Sequence, residues 1–224
     1  MDWVKEEFEP NSDALVIALS SFFGNSLDPN KWEWENGTGI ISNITPFKRM
    51  FVRDIDEGWY QTQFEGVEGY GPHALASFLK ERIKESKAKR VLIMGLSLGG
   101  YGALLLGCLC KLDLAIAISP QTFFTPERYK KNKLDEKYKN LNVNKEETDL
   151  KVILEKYNNN HTYYNIYYGK HNKLDTLFAM RMAKCNGVSL FPLDSNKHTV
   201  IRPMIASGMI KNILLRFIQK GIRA

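Results

Sequence analysis

Short runs rich in apolar, β-branched and aromatic residues alternate along this chain with longer stretches whose apolar positions recur every three or four residues. Ala14-Leu-Val-Ile-Ala-Leu-Ser20, Phe47 to Arg53, Arg90 to Gly95, Leu112 to Ser119, Thr162 to Tyr168 and Val188 to Phe191 are runs of the first kind. Their length and β-branched content predict strands covered on both faces. Pro72 to Lys87 is of the second kind, with Leu75, Phe78, Leu79 and Ile83 on one face of a predicted helix. Leu98 to Lys111, Asp149 to Tyr157, Asp175 to Cys185 and Pro203 to Gln219 predict further helices. Strands alternating with helices give an α/β chain with a mainly parallel sheet covered on both faces. Ligands bind such sheets at the carboxyl ends of the strands.

Two stretches break the alternation. Pro29 to Thr45, rich in Asn, Gly and Trp, reads as loop. Residues 125–160 turn Lys-, Asn- and Tyr-rich and read as an insertion beside the carboxyl edge of the sheet. Within a total of 224 residues this leaves one domain, 1–224, built on one core.

The candidate chemistry lies where the Arg90–Gly95 run meets the following helix. Gly95-Leu-Ser-Leu-Gly99 fits the G-x-S-x-G pattern of a nucleophile elbow, in which a strained turn lifts the serine hydroxyl above the sheet. Glycines two residues either side remove the Cβ atoms that would collide there. A phosphate-binding loop would need G-x-G-x-x-G or a GK[ST] ending, and neither is present.

A serine needs a base, and the base needs an orienting acid. Four histidines narrow the choice. His73 opens a helix upstream, and His161 stands at the amino end of a strand. His171 competes from a loop at a strand's carboxyl end. His198 follows the last strand, downstream of the serine, in the order this architecture uses. The acid is expected after the penultimate strand, where Asp175 stands; Asp175 could equally cap a helix. Asp194 is the second candidate. For the oxyanion, the Leu98 N–H at the helix start supplies one donor. The loop after the first long strand, at Phe22 or the adjoining Ser21, supplies the other.

Composition closes several alternatives. Hydrophobic content of 44% and charged content of 25% are those of a globular chain. The net charge is +6, but the segment 127–156 mixes nine Lys/Arg with seven Asp/Glu, a solvated surface rather than a nucleic-acid-binding stripe. No apolar run reaches the length of a membrane span, and the acidic N-terminal segment has no apolar signal region. Cys108, Cys110 and Cys185 form no metal spacing and no even disulfide set, so no metal or cofactor is expected and a reducing cytoplasm is the expected home.

With these residues placed, the chain resembles the α/β-hydrolase fold serine hydrolases over about residues 14–220, with the first strands reduced. More narrowly, five segments resemble small hydrolase-like proteins associated with bacterial surface-polysaccharide assembly. These are Phe51-Val-Arg-Asp54 with Trp59-Tyr60, Ser97-Leu-Gly-Gly-Tyr-Gly-Ala103, Ile118-Ser-Pro-Gln-Thr122, Tyr168-Gly169 with Leu174-Asp175, and His198-Thr-Val-Ile-Arg202. The chain is more remotely similar to the glycan-modifying, hydrolase-like component of accessory secretion systems. The resemblance implies an acyl ester on a carbohydrate, cleaved by water or transferred to a glycan; a non-catalytic glycan-binding scaffold would keep the same fold. His171 stands where such relatives often carry an acid. Asp54, Trp59, Tyr60 and Gln121, near the catalytic edge, are the expected substrate contacts. Arg53–Asp54 as a structural ion pair and Trp59 as core remain the alternative.

Overall fold

The computed structural model describes residues 1–21, 39, 45–123, 148–157 and 161–220. Seven strands form one sheet in the order β1-β3-β2-β4-β5-β6-β7. They are β1 (Val4–Glu7), β2 (Ala14–Leu19), β3 (Lys48–Val52), β4 (Arg90–Leu96), β5 (Leu114–Ile118), β6 (Tyr163–Gly169) and β7 (Val188–Leu193). All neighbours run parallel except β1, which lies antiparallel along β3 with Val4 opposite Val52 and Glu7 opposite Arg49.

Strand β1 is not in the sequence reading. Three of its four residues are charged, so it lacks the apolar run that marks the other strands. Its charges are used at the edge, where Glu7 pairs with Arg49 and Glu6 with Arg82 of the first helix. Charged edge strands of this kind resist pairing with other chains.

The helices are α1 (Gly71–Ser86), α2 (Leu98–Cys110), α3 (Leu150–Tyr157), α4 (Lys173–Arg181), α5 (Ile201–Ala206) and α6 (Met209–Lys220). The single closing helix expected from Pro203 to Gln219 is two helices. Gly208, at φ 74°, takes a left-handed conformation that ends the first and turns into the second. The flanks of the expected 125–160 insertion are described, whereas residues 124–147 and 158–160 lie outside the described residues.

Because side chains alternate across a strand, each central strand feeds two cores. Leu15, Ile17, Leu19, Ile93, Ala115 and Ala117 face a large cluster shared with α1, α2, α3 and α4. Val16, Leu92, Met94, Ile116 and Ile118 face a smaller one closed by α5 and α6. Helix α2, buried along its whole length, is the central strut. Strand order reverses between β2 and β4, so the chain leaves these strands in opposite directions, toward β3 and toward β5, and opens a crevice at their carboxyl ends. Ser20 and Ser97 flank that crevice.

Candidate active site

Strand β4 ends at Leu96 and α2 begins at Leu98, leaving Ser97 alone to make the turn. Its backbone sits at φ 53°, ψ −111°, a conformation that L side chains rarely adopt. The Ser97 N–H donates to Ile118 O at 2.8 Å and the Ser97 carbonyl accepts from the Tyr101 N–H at 3.0 Å, so neighbours on both sides hold the strain. Gly99 makes the turn possible. A Cβ there would lie 2.5 Å from Ser20 O and 2.9 Å from Leu19 O, so any side chain would drive α2 off the end of β2.

The hydroxyl so presented meets one imidazole. Ser97 Oγ is 3.0 Å from His198 Nε2, and His198 Nδ1 is 2.8 Å from Asp175 Oδ1. The tautomer with the proton on Nδ1 satisfies both contacts: Nδ1–H donates to the carboxylate and the serine O–H donates to Nε2. The carboxylate is 2% exposed and the His198 side chain 43% exposed. An enclosed acid thus holds a ring that still reaches solvent.

Asp175 is not a helix cap. Asn172 takes that role, its side chain accepting the N–H groups of Leu174 and Asp175. Asp175 then falls in the first turn of α4 and turns inward. The second candidate, Asp194, is engaged elsewhere: it accepts from Lys170 at 3.1 Å and pairs with His171 Nε2 at 2.8 Å. His171 and Lys170 hold its carboxyl below the usual range, the hydrogen bond to His171 contributing most. His171 is therefore the partner of Asp194 and not of Ser97. The signal that finds this pair is their shared rim, at the ends of the adjacent strands β6 and β7.

Leu98 is the first residue of α2, where the helix has no backbone acceptor of its own for the N–H. Phe22 lies outside the described residues, while Ser21 is the last one described before them.

Of the four expected substrate contacts, three are interior residues. Tyr60 is fully buried: its ring lies where a Cβ on Gly102 would come within 2.6 Å, and its hydroxyl donates to Ser20 O at 2.9 Å. The ring presents no face to a sugar, because it fills the gap left by the glycines of α2. Trp59, 7% exposed, packs edge-on against Tyr101 with centroids 5.5 Å apart. Asp54 is 1% exposed and accepts the Tyr60 N–H at 2.8 Å. Burial pushes the Asp54 carboxyl up to about 6; the N–H groups of Tyr60 and Gly58 pull it back, and the acidic Asp56 and Glu57 add to the rise. Gln121, three residues past β5, stays partly exposed.

Among the described residues no group of three His, Cys, Asp or Glu side chains could hold a metal ion, and no helix is long and apolar enough to cross a membrane. The three cysteines are buried and unpaired.

No curated protein sequence matches the chain. Solved structures resemble it over nearly its whole length. A carboxylesterase structure from Nitrososphaera gargenis is 13% identical, covering 98% of this chain and 96% of that one, with a TM-score of 0.62. Carboxylesterase CesB (YbfK) from Bacillus subtilis is 14% identical, covering 98% of this chain and 88% of that one, with a TM-score of 0.60. The Glycosylation Associate Protein (Gap123) complex from Streptococcus agalactiae is 16% identical with a TM-score of 0.61; the match covers 97% of this chain and 44% of that one. Likeness at this level of identity speaks to the fold, and the fold is that of the α/β-hydrolases. Residues 67–182, more than half of the chain and including the elbow and Asp175, match a described family, and the chain belongs to it: the Uncharacterised protein family UPF0227.

Proposed function

We propose that this protein is a serine hydrolase that cleaves a carboxylic ester through Ser97, His198 and Asp175. The observation that carries the reading is the unbroken relay from the strained Ser97 hydroxyl through His198 to a buried carboxylate, at 3.0 and 2.8 Å. In the first step the Ser97 oxygen attacks the ester carbonyl while Nε2 takes the hydroxyl proton. Asp175 stabilises the imidazolium through Nδ1–H. We assign stabilisation of the developing oxyanion to the N–H groups of Leu98 and Phe22, the latter outside the described residues. Collapse of the tetrahedral intermediate releases the alcohol, which takes the proton from Nε2. Water, deprotonated by the same nitrogen, then attacks the acyl-serine and frees the acid and the serine.

The substrate we assign is a small acyl group on a carbohydrate. Support comes from the sequence resemblance to polysaccharide-associated hydrolase-like proteins and from the structural likeness to a glycosylation-associated complex. Gln121, partly exposed beyond β5, is the side chain we assign to the substrate.

The test is labelling of the full chain by a fluorophosphonate probe. Labelling of the wild type, lost in Ser97→Ala and in His198→Ala, is the expected result. A folded wild type that stays unlabelled would overturn the hydrolase reading in favour of a glycan-binding scaffold. Acetylated sugars, assayed with and without acceptor glycans, would then test the carbohydrate assignment and separate hydrolysis from transfer.

A further inference from the structure

Two buried oxygens near the relay have no hydrogen-bond partner among the described residues: Asp175 Oδ2, on the carboxyl that holds His198, and Ser119 Oγ. Asp175 is 2% exposed and Ser119 0%. Buried carboxylate and hydroxyl oxygens are almost always paired, so each of these calls for an explanation.

The backbone points to one. Ser119 follows β5 at φ 45°, and the next residue is Pro120. A residue before proline favours extended backbone, so a left-handed conformation there is strained twice over. Its neighbours hold it. The Ser119 N–H donates to Tyr167 O of β6 at 2.7 Å, and the carbonyl of the preceding Ile118 accepts the Ser97 N–H at 2.8 Å. A Cβ on Gly100 would lie 3.2 Å from Pro120 Cβ, so the same turn rests on the first turn of α2. On its other side Thr122 Oγ1 donates to Phe178 O at 3.1 Å, and Phe178 shares the buried face of α4 with Asp175. Ser119 therefore stands between the elbow and the helix that carries the acid.

We infer that Ser119 is a positioning residue, whose hydroxyl donates to Asp175 Oδ2 and steadies the carboxyl against His198 as the imidazolium forms. Hydrogen bonds within an active site are often long in the free enzyme and tighten only as the reaction proceeds. The inference rests on the serine-hydrolase reading above and adds to it a side chain that acts on the reaction only through Asp175. The strain at Ser119 then has a use, because a residue with negative φ would project its side chain in another direction.

The experiment is a double-mutant cycle on the full chain: wild type, Ser119→Ala, Asp175→Ala and the pair. Rates of fluorophosphonate labelling and p-nitrophenyl acetate kinetics are the readouts. Alanine at 175 removes both carboxylate oxygens and with them any acceptor for Ser119. Ser119→Ala alone should lower kcat and the labelling rate about tenfold, as loss of one hydrogen bond to a charged group does, with KM unchanged. In the Asp175→Ala background the same substitution should change neither rate. Ser119→Gly, which relieves the strain but also lacks the hydroxyl, should lose as much as Ser119→Ala. No loss, an equal loss in both backgrounds, or a glycine variant as fast as wild type would mean a merely structural Ser119 and overturn the inference. If the wild type proves inert, the hydrolase reading fails, and the His198 Nδ1–H proton resonance decides this one. It should shift in Ser119→Ala and in Ser119→Gly; an unmoved resonance sinks the inference.

Discussion

The elbow and the histidine rim hold their functional groups by different means. Ser97 is fixed from within. Its turn is trapped between Ile118 O, Ser20 O and a fully buried helix, and backbone packing leaves the oxygen little freedom. His198 is fixed from outside. Its loop is tied to the neighbouring loop by the Lys170 N–H to Leu193 O and the His171 N–H to Ser195 O, at 2.9 and 3.0 Å. The solvent-exposed contacts of Asp194 with Lys170 and His171 join the same two loops. Close packing resists displacement, whereas a few hydrogen bonds at a surface do not. The nucleophile is therefore the rigid partner, and the base is the one that adjusts.

The largest effect should come from removing the chemistry at either region. Ser97→Ala and His198→Ala should each lower ester turnover by about 10⁴-fold or more with stability unchanged; a comparable residual rate in either variant would dissolve the comparison. Asp175→Asn should lower kcat by about 10³- to 10⁴-fold, since the amide no longer fixes the productive tautomer. Fluorophosphonate labelling should slow in parallel, because the probe reacts with the same activated serine.

Next comes the packing of the elbow. Gly99→Ala places a methyl against Ser20 O and should destabilise the fold by about 3 kcal/mol, as overpacking does. Urea unfolding reads this directly, and a neutral result would mean that the elbow is as pliable as the rim. Asp54 gives an effect of similar size that depends on pH. Its folded-state value of about 6 lies above the unfolded value of 3.8, so the folded state binds the extra proton between the two. Stability should therefore be greatest at low pH and decline as pH rises through this window, by about 3 kcal/mol in total from this one group. The contribution should vanish in Asp54→Asn when unfolding is followed from pH 4 to 7.

The smallest effect is expected at the rim: Asp194→Asn breaks an exposed pairing and should leave turnover and melting temperature close to wild type. A large loss there would make the rim as tightly built as the elbow.

What was legible in the sequence follows the same division. The elbow could be read because its determinants are local: an apolar strand, a serine and glycines within a dozen residues. Strands β2, β4 and β5 announced themselves as buried runs. Chain order points to Asp175 and His198, but a cap role for Asp175 is excluded only by the side chain of Asn172, which takes that position. Strand β1 was hidden because an edge strand needs no apolar face, and the helix break at Gly208 because one glycine hardly disturbs a periodic pattern. The interior place of Tyr60 is hidden in the sequence for a different reason. An aromatic beside a rim looks like a sugar platform in one dimension, and only the glycine face of α2 reveals the space that it fills.

The stems of the 124–147 segment carry one more consequence. The Leu150 N–H donates to Thr122 O at 2.9 Å, while Arg181 of α4 lies over the Phe123 ring and pairs with Asp149. The chain leaves β5 and rejoins the domain through doorposts that touch. At such a doorway sequence can be added or trimmed for little more than the entropy of closing the loop, about 0.6 kcal/mol for each doubling in length. It is where new recognition could be grafted beside the acid-bearing helix while the sheet stays as it is.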